Sequence, residues 1–173
     1  QRILALRLSS GGLAFLDLLG YNGRSEETRM QTFLPYADFE KSASVLDYRR
    51  LGKQRLECDQ ILRALISNSV GWRRHPAVMM WAGHEKTLCE YAEKIIDEWR
   101  SRGYKNTMEY PGSPCWCDLH DVSYIQECDP PPWLGDEEFH ASHRAALLHK
   151  NPEWYGQFGW TEIPELRYKW PVS

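Results

Sequence analysis

Long apolar runs are absent from this sequence of 173 residues. No stretch approaches the roughly 18 consecutive apolar residues that a membrane-spanning helix needs, so we expect no transmembrane segment. The first 29 residues also lack the unbroken apolar stretch and the small-residue cleavage site of a signal peptide. Because 42% of the residues are hydrophobic and 26% are charged, the composition indicates a globular protein and excludes a disordered chain. The length predicts a single domain.

Cysteine is scarce, and its spacing matches no disulfide framework. The cysteines are odd in number and form no Cys-x-x-Cys pair; they are Cys58, Cys89, Cys115, Cys117 and Cys128. Cys58 and Cys89 fall on predicted helix faces, where a free thiol packs as a small hydrophobe. We therefore expect reduced cysteines and a cytoplasmic location.

A zinc site is the alternative use of some of these cysteines, together with nearby histidines. The candidate ligands are Cys115, Cys117, His120, His140, His143 and His149. Zinc sites built on cysteine usually contain a Cys-x-x-Cys pair, and the sequence Pro-Cys-Trp-Cys at 114–117 is one residue short of the zinc deaminase signature. We therefore predict no metal and no cofactor.

The first 29 residues differ from the rest of the chain. Residues 4–19 are rich in leucine, but charged residues, serines and glycines interrupt them. Glu26 and Glu27 stand shortly before Met30, and two glutamate codons can form the purine-rich sequence that precedes a start codon. One hypothesis is that Met30 is the true start and that residues 1–29 are a translated leader. The alternative is a helical N-terminal extension of a domain formed by residues 30–173.

The net charge of −3 is not that of a general nucleic-acid binder, but the cations are unevenly distributed. Between Arg49 and Arg74, seven cations stand against two carboxylates, a local net charge of +5. These cations are Arg49, Arg50, Lys53, Arg55, Arg63, Arg73 and Arg74. A basic patch on an acidic body suits a protein that contacts phosphate at one place, although a solvated helix face gives the same pattern.

Hydrophobic periodicity predicts a mainly α-helical fold, a single compact domain of about four helices. Asp38 is the expected N-cap of the first helix. Gly52 is expected to break or kink the chain before a second helix that ends near Ser67. The third helix shows the clearest pattern, over residues 78–99, with Gly103 as its C-terminal stop.

The remaining sequence predicts a long irregular covering loop followed by a last helix. Prolines exclude long regular elements from residues 104–135, although residues 122–125 are predicted as a short strand. A structureless stretch of this length is usually functional or covers the core. The last helix is predicted to begin near Asp136, in an acidic stretch that suits a helix N-terminus, and to end before Pro152.

Three segments, in order, resemble the pyrimidine-dimer DNA glycosylases, the family of the bacteriophage endonuclease V. The first runs from Met30 to Leu-Asp-Tyr-Arg-Arg-Leu at 46–51. The second is His-Pro-Ala-Val-Met-Met-Trp-Ala-Gly-His at 75–84, and the third is Pro-Glu-Trp-Tyr at 152–155. The chain is similar above all to bacterial and phage members that begin Met-Gln-Thr-Phe-Leu-Pro, as residues 30–35 do. The resemblance implies a metal-free enzyme that acts on damaged double-stranded DNA.

The resemblance also implies a mechanism. In the family an N-terminal α-amine attacks the sugar C1′, a Schiff base forms, and a glutamate assists before β-elimination nicks the strand. The choice of amine is reasonable, because an α-amine has a pKa of about 8 and is partly neutral at physiological pH. A substrate base must also leave the stack, which requires cations and aromatic side chains nearby.

The family uses the amine of the residue after the initiator methionine, which on this chain is Gln31. Because an initiator methionine is normally kept before a residue as large as glutamine, the free amine would then belong to Met30. The family's catalytic glutamate aligns with Arg50, so the carboxylate would come from Asp47, one helical turn before it, or from Glu57, two turns after it. An ordinary ion pair among these groups is the alternative.

Lys53 is a second candidate for the nucleophile. It lies between Arg50 and Arg55, whose positive charges disfavour its ammonium form, as Schiff-base lysines require. Contact with phosphate or with solvent is the simpler interpretation.

Further residues are candidates for DNA contacts because cations and stacking rings occur together. Arg73, Arg74 and His75 adjoin Trp72, and aromatic residues crowd the C-terminal tail. The predicted DNA-binding residues are Arg49, Arg55, Arg73, Arg74, His75, His84, Trp154 and Tyr155. Alternatively, Trp72 packs in the core beside a capped loop, and the aromatic residues of the tail close the core.

Three functions follow from these observations. The first is a DNA glycosylase and AP lyase of the base-excision-repair type, acting as a monomer on damaged DNA. The second is a non-catalytic nucleic-acid-binding protein on the same scaffold. The third is a nucleotide or modified-base hydrolase that uses Asp47, His84 and His143 as acid–base groups.

Overall fold

The computed structural model describes residues 30–66, 73–123 and 125–171. Within these ranges the chain forms seven α-helices and one 3-10 turn, and no strand. The helices are α1 (Phe39–Val45), α2 (Tyr48–Ile66), α3 (Pro76–Met79), α4 (Glu85–Ser101), α5 (Pro114–Leu119), α6 (Glu137–Lys150) and α7 (Pro152–Tyr155). The mainly α-helical prediction is confirmed, although the helices outnumber the four expected. The predicted leader or extension of residues 1–29 and Trp72 lie outside the described residues.

Asp38 begins α1 as predicted, because its Oδ1 accepts a 2.7 Å hydrogen bond from Lys41 N. The predicted break at Gly52 is wrong, since α2 continues through it. Gly52 is needed instead for the packing of α2 against α4. A Cβ at position 52 would lie 3.0 Å from Cζ3 of Trp99 on α4, so the missing side chain lets α2 and α4 approach closely.

The helix predicted over residues 78–99 is wrong as a single element, because a turn divides it into α3 and α4. Gly83 in this turn has a φ of +80°, a left-handed conformation that favours glycine and ends helices. Trp81 and Leu88 keep a helical spacing across the turn, and both are fully buried. The apolar spacing of the sequence therefore continues across the turn and gave no indication that the helix is interrupted.

The stretch 104–135 is irregular as predicted, except for the short helix α5. This helix begins at Ser113, whose Oγ accepts a 3.2 Å hydrogen bond from Trp116 N, and it buries the Trp116 ring. The predicted strand is wrong, because Val122 and Ile125 belong to no strand. Ile125 packs against the core instead.

The last predicted helix is α6. Asp136 Oδ1 accepts a 3.0 Å hydrogen bond from Glu138 N, which is the geometry of an N-cap. The helix ends at Lys150, and Pro152 begins α7. None of the helices in the described ranges is long and apolar enough to cross a bilayer.

Helices α1 and α2 pack against α4, and a non-helical stretch of chain contacts α2, α4 and α6. This stretch, residues 30–36, is called the N-terminal segment below. Residues 30–35 are buried, although none of them belongs to a helix. Burial of an extended chain outside a sheet leaves its backbone N–H and C=O groups in need of side-chain partners. The identity of those partners defines the candidate site.

Candidate active site

Side chains of α2 and α4 bind the first half of the N-terminal segment. Gln54 Oε1 accepts a 3.0 Å hydrogen bond from Phe33 N, and Gln54 Nε2 donates one of 2.6 Å to Gln31 O. The Tyr91 hydroxyl lies 2.7 Å from Phe33 O and 2.9 Å from Gln54 Oε1. Gln54 and Tyr91 are fully buried. These two side chains therefore fix the backbone of residues 31–33 against the helices.

Side chains of α6 bind the second half of the N-terminal segment. His140 Nδ1 lies 2.7 Å from Leu34 O, and His143 Nδ1 accepts a 3.4 Å hydrogen bond from Leu34 N. Arg144 Nη1 donates a 2.8 Å hydrogen bond to Pro35 O. Because complete burial lowers the pKa of His143 to about 3, this ring is neutral at physiological pH. The two histidines hold the backbone in place.

Two alternatives considered from the sequence, a zinc site and a hydrolase site, gain no support from this arrangement. No three His, Cys, Asp or Glu side chains among the described residues are placed to hold a metal ion. The set of Asp47, His84 and His143 is not brought together as an acid–base site, since His143 faces Leu34 and His84 Nδ1 lies 2.9 Å from Asp129 O. The hydrolase alternative therefore gains no geometric support.

Glu57 is the carboxylate that α2 presents to the N-terminal segment. Its Oε1 accepts a 3.1 Å hydrogen bond from Gln31 N, and its Oε2 accepts one from Gln54 Nε2. Burial, which leaves 3% of the residue exposed, raises its pKa to about 7, although Lys53 and the hydrogen bonds from Gln31 and Gln54 oppose the rise. A carboxyl group in this condition exchanges a proton near neutral pH, as an acid–base catalyst must.

Lys53 is the second nitrogen beside this carboxylate. Its Nζ lies 3.2 Å from Glu57 Oε1, one helical turn away along α2. Its side chain is 39% exposed, whereas that of Glu57 is 3% exposed. Glu57 Oε1 thus has one nitrogen in the buried backbone at Gln31 and another on a side chain that reaches solvent.

The side chain of Gln31 leaves one hydrogen-bond donor without a partner. Its Oε1 accepts a 3.1 Å hydrogen bond from Thr32 N, but its Nε2 is buried and has none. Met30 and Gln31 are 7% and 5% exposed. A buried amide without a partner costs free energy, so position 31 combines a site nitrogen with an unsatisfied donor.

Asp47 and Arg50 are paired with each other at the start of α2. Asp47 Oδ1 accepts a 3.0 Å hydrogen bond from Arg50 N, as a helix N-cap does, and Asp47 Oδ2 forms an ion pair with the Arg50 guanidinium. The Tyr155 hydroxyl donates to the same oxygen over 2.9 Å. Burial opposes the change, but these hydrogen bonds and the charge of Arg50 lower the pKa of Asp47. This acid stays ionised and structural, so Glu57 is the better candidate for proton transfer.

A cleft of about 510 Å³ opens beside the first turn of α2. It is lined by Ser44, Asp47, Tyr48, Arg49, Glu98, Arg102, Tyr104, Asn151 and Trp154. We call it the aromatic cleft. It brings together two predicted DNA-binding residues from distant segments, Arg49 and Trp154. Tyr155, another of them, lies beneath with its ring fully buried and is unavailable for stacking.

The other predicted DNA-binding residues lie elsewhere. Arg55 stacks on the Trp99 ring at 4.0 Å and donates a 2.8 Å hydrogen bond to Asn106 Oδ1. Arg73 and Arg74 are exposed but do not line the aromatic cleft. His75 caps α3, with its Nδ1 accepting a 3.2 Å hydrogen bond from Ala77 N. The aromatic cleft therefore gathers only part of the predicted DNA-binding residues.

The side chains that sequence reasoning missed are uncharged polar groups on apolar helix faces. Gln54 lies three residues after Leu51 and four before Cys58, in phase with the buried face of α2. Tyr91 has the same relation to Leu88 and Ile95 on α4. A polar residue in such a position must find a hydrogen-bond partner inside the protein, which was the available signal.

Together, the fold and the site define a helical domain with a neutral-pH acid beside two nitrogens and with a separate cleft of aromatic rings. Residues 30–111 match the family model described as pyrimidine dimer DNA glycosylase. This match confirms the resemblance seen in the sequence and supports a DNA glycosylase function with DNA as the substrate. No match was found among curated proteins or among solved structures.

Proposed function

We propose that this chain is a DNA glycosylase and AP lyase that acts on pyrimidine dimers or a related lesion in double-stranded DNA. The observation that carries the proposal is the geometry of Glu57, a buried acid with a pKa of about 7 whose Oε1 lies within 3.2 Å of two nitrogens. The family match of residues 30–111, which includes all three groups, supports the same assignment.

The proposed reaction uses one nitrogen and one carboxyl group. A neutral amine attacks the sugar C1′, the C1′–N bond to the base breaks, and protonated Glu57 supplies the proton that the leaving base needs. The Glu57 carboxylate takes a proton from the attached amine and passes it to the ring oxygen O4′, the C1′–O4′ bond breaks, and a Schiff base forms, which leaves Glu57 ionised again. The Glu57 carboxylate next removes a proton from C2′, and the 3′ phosphate leaves by β-elimination. Glu57 therefore acts first as an acid and then as a base.

Two amines are candidates, and they differ in what they require. Position 31 provides an α-amine only if translation starts at Met30 and that methionine is removed, and retention of Met30 places the α-amine one residue earlier. Lys53 provides an amine whatever the first residue is. Gln31 N lies 3.1 Å and Lys53 Nζ 3.2 Å from the same oxygen, so an amine at either position would be within hydrogen-bond reach of Glu57.

Borohydride trapping tests the proposal directly. Proteins that begin at residue 1 and at Met30 are incubated with duplex DNA that contains a pyrimidine dimer or an abasic site, and borohydride reduces any Schiff base to a stable adduct. We expect an adduct with the Met30 protein, and peptide mass mapping assigns it to residues 30–31 or to Lys53. A Lys53→Arg variant keeps the charge and removes the nucleophile, so it separates the two assignments.

The variant Glu57→Gln tests the role of the carboxyl group. Its matched control is Glu90→Gln, which changes an exposed glutamate on α4. We expect Glu57→Gln to slow cleavage of the C1′–N bond by about 100-fold or more, the size of a general acid–base contribution, and Glu90→Gln to leave it unchanged. DNA binding by both proteins without any adduct would instead support a non-catalytic scaffold. Absence of DNA binding would contradict the whole assignment.

A further inference from the structure

Gln54 is a polar side chain at a position where the buried face of α2 is otherwise apolar. It is fully buried, as are Leu51 three residues before it and Cys58 four residues after it. A buried amide costs free energy unless its polar atoms find partners. Two hydrogen bonds of Gln54 bind the N-terminal segment, and a third goes to Glu57. This third bond connects Gln54 to the acid of the candidate site.

The backbone of the N-terminal segment determines which way the Gln54 amide faces. Phe33 N is a donor only, so the atom 3.0 Å from it must be the amide oxygen, Oε1. Gln31 O is an acceptor only, so the atom 2.6 Å from it must be Nε2. A flipped amide would place two donors together at one end and two acceptors together at the other. The group that Gln54 turns toward Glu57 is therefore an N–H donor.

The two carboxyl oxygens of Glu57 have different surroundings. Oε2 accepts the hydrogen bond from Gln54 Nε2, which belongs to the fold. Oε1 lies 3.1 Å from Gln31 N and 3.2 Å from Lys53 Nζ, the two positions proposed for the amine. One oxygen therefore faces a fixed donor, and the other faces the place where the reaction is proposed to occur.

This asymmetry determines which oxygen carries the proton when Glu57 is in its acid form. A proton on Oε2 would turn the acceptor of the Gln54 bond into a hydroxyl oxygen, which is a weaker acceptor, and the amide N–H cannot accept that proton. A proton on Oε1 leaves Oε2 as a carbonyl oxygen and keeps the bond intact. Glu57 is 3% exposed, so water offers little compensation for a lost hydrogen bond.

The titratable groups around Glu57 do not reverse this preference. Lys53 and Cys58 on α2 and Tyr91 on α4 interact with its charge. Burial raises the pKa of the Cys58 thiol and of the Tyr91 hydroxyl well above their ordinary values, so both are neutral at physiological pH. Lys53 also donates toward Oε1, but its side chain is 39% exposed and can turn to solvent, whereas Gln54 is fully buried.

We propose that Gln54 is a positioning residue for the proposed reaction: its Nε2 holds Glu57 Oε2 as an acceptor, so that the proton of the acid form lies on Oε1, facing the amine. The proton that the leaving base needs then departs from Oε1. Gln54 acts only through Glu57 and transfers no proton itself. This inference rests on the proposed function, because it refines the acid role that Glu57 has there.

Infrared spectroscopy of the DNA-free full chain shows which oxygen is the carbonyl. Ordinary carboxyl groups are ionised above about pH 5.5, so a difference spectrum between about pH 5.5 and pH 8.5 contains the C=O stretch of protonated Glu57. A carbonyl that accepts a hydrogen bond absorbs at lower frequency. We expect this band to move to higher frequency in Gln54→Met and to be absent from Glu57→Gln. Gln60→Met, at an exposed position of α2, is the matched control and should keep the wild-type band.

The pH profile separates the two oxygens of Glu57. Loss of the Gln54 donor disfavours the ionised form, so Gln54→Met should raise the pKa of Glu57, and with it the alkaline limb of C1′–N bond cleavage, by about one pH unit. Lys53→Met should also raise the pKa, because it removes a cation. It should leave the carbonyl band near the wild-type frequency, because Lys53 contacts Oε1. If Gln54 only fastened the N-terminal segment, Gln54→Met would keep the wild-type band.

A measurement on the wild type keeps the test decisive if Gln54→Met does not fold. In protein labelled with ¹⁵N at the glutamine side chains, one amide proton of Gln54 should shift with a midpoint at about pH 7, because it is donated to Glu57 Oε2. The same proton should not titrate in Glu57→Gln. A Gln54 amide that does not titrate in the wild type, or an unchanged carbonyl band in Gln54→Met, would overturn the proposal.

Failure of this inference and failure of the proposed function give different results. A protein that forms the borohydride adduct but has a Gln54 amide that does not follow Glu57 keeps the glycosylase assignment and loses the positioning role. A protein in which the Gln54 amide follows Glu57 but no adduct forms keeps the selection of Oε1 and loses the Schiff-base chemistry.

Discussion

The backbone nitrogen of Gln31 donates a 3.1 Å hydrogen bond to Oε1 of Glu57, which is 26 residues further along the chain. This contact places the beginning of the family-matched segment against the acid of α2. The two candidate carboxylates, Asp47 and Glu57, have different surroundings. Asp47 is held by Arg50 and Tyr155. The pKa of Glu57 is raised to about 7.

Glu57 should give the reaction an alkaline limb near neutral pH. Its pKa is raised to about 7 by burial, so the protonated form that the leaving base requires is lost as the pH rises through 7. We expect the single-turnover rate of C1′–N bond cleavage to fall above pH 7 in the wild type, and this limb to be missing from the residual rate of Glu57→Gln. The measurement is the rate of C1′–N bond cleavage between pH 5 and 9, and an unchanged limb in the variant would assign the proton to another group.

Gln54→Leu should destabilise the fold although it adds apolar surface. The change removes the partners of Phe33 N and Gln31 O, which stay buried, and unsatisfied buried groups cost about 1–3 kcal/mol each. We expect the free energy of unfolding to fall by about 2–4 kcal/mol in urea denaturation. Gln60→Leu, at an exposed position of the same helix, is the control and should change it by less than about 0.5 kcal/mol.

Arg50→Met should affect stability more than DNA binding. Arg50 is 8% exposed, so its loss leaves the buried Asp47 carboxylate without its cation. Breaking a buried pair on one side costs about 3–5 kcal/mol, and the double variant Asp47→Asn with Arg50→Met should recover part of this loss. Denaturation gives the stability, and a salt titration of DNA affinity should show the wild-type slope. A reduced slope would place Arg50 at the phosphate backbone.

His143→Gln should weaken the acid sensitivity of the fold. Burial lowers the pKa of His143 from 6.5 to about 3, so the stability contributed by the neutral ring is complete above pH 6.5 and is lost as the pH falls toward 3. Glu57 acts in the opposite direction between pH 7 and 4.5, because its raised pKa favours the folded state on acidification. Both effects are present in the wild type, and only the effect of Glu57 remains in His143→Gln. The difference between the two proteins therefore isolates the contribution of His143.

Between pH 6 and 4 we expect the free energy of unfolding of the wild type to fall, relative to His143→Gln, by about 1.4 kcal/mol per pH unit. Glutamine keeps an acceptor for Leu34 N and cannot become charged. His149→Gln, at an exposed position of α6, should leave the pH dependence unchanged. Parallel curves for the wild type and His143→Gln would show that His143 does not carry the acid sensitivity.

Gly112→Ala should cost more than Gly135→Ala, although both glycines have positive φ. A Cβ at Gly112 would lie 2.4 Å from Sγ of the buried Cys89, whereas a Cβ at Gly135 meets nothing within 4 Å. Both variants carry backbone strain of about 1–2 kcal/mol, and Gly112→Ala adds an overpacking cost of about 1–3 kcal/mol. Thermal unfolding measures the difference. Combination with Cys89→Ala should cancel the added cost, and full additivity of the two changes would exclude the clash.

The sequence predicted the parts of the fold that local chemistry determines. The N-cap at Asp38, the start of the last helix near Asp136 and the mainly helical class were confirmed, because a side chain that binds the backbone two or three residues away acts locally. The break at Gly83 was missed because the apolar spacing of Trp81 and Leu88 continued through it. Gly52 was misassigned because its reason, the approach of Trp99, lies on another helix.

The candidate site was predictable only in outline. Glu57 was a candidate because it lies two helical turns after Arg50, the position that aligns with the family's glutamate. Lys53 was a candidate because it stands between Arg50 and Arg55, and both catalytic roles stay predictions. The grouping of Tyr48, Tyr104 and Trp154 was not foreseen, since it depends on how three elements distant in sequence pack together. The roles of His140 and His143 were also not foreseen, because a histidine that binds a buried carbonyl or amide leaves no spacing pattern in the sequence.

The N-terminal segment has a consequence for synthesis of the protein on the ribosome. Leu34 and Pro35 leave the exit tunnel early, but His143 and Arg144, which bind their backbone groups, are 109 residues further along the chain. Until α6 emerges, the stretch that carries the Gln31 nitrogen has only its partners on α2 and α4. A nascent chain that still lacks α6 therefore holds this nitrogen less firmly against Glu57, and the complete site forms only after α6 has emerged.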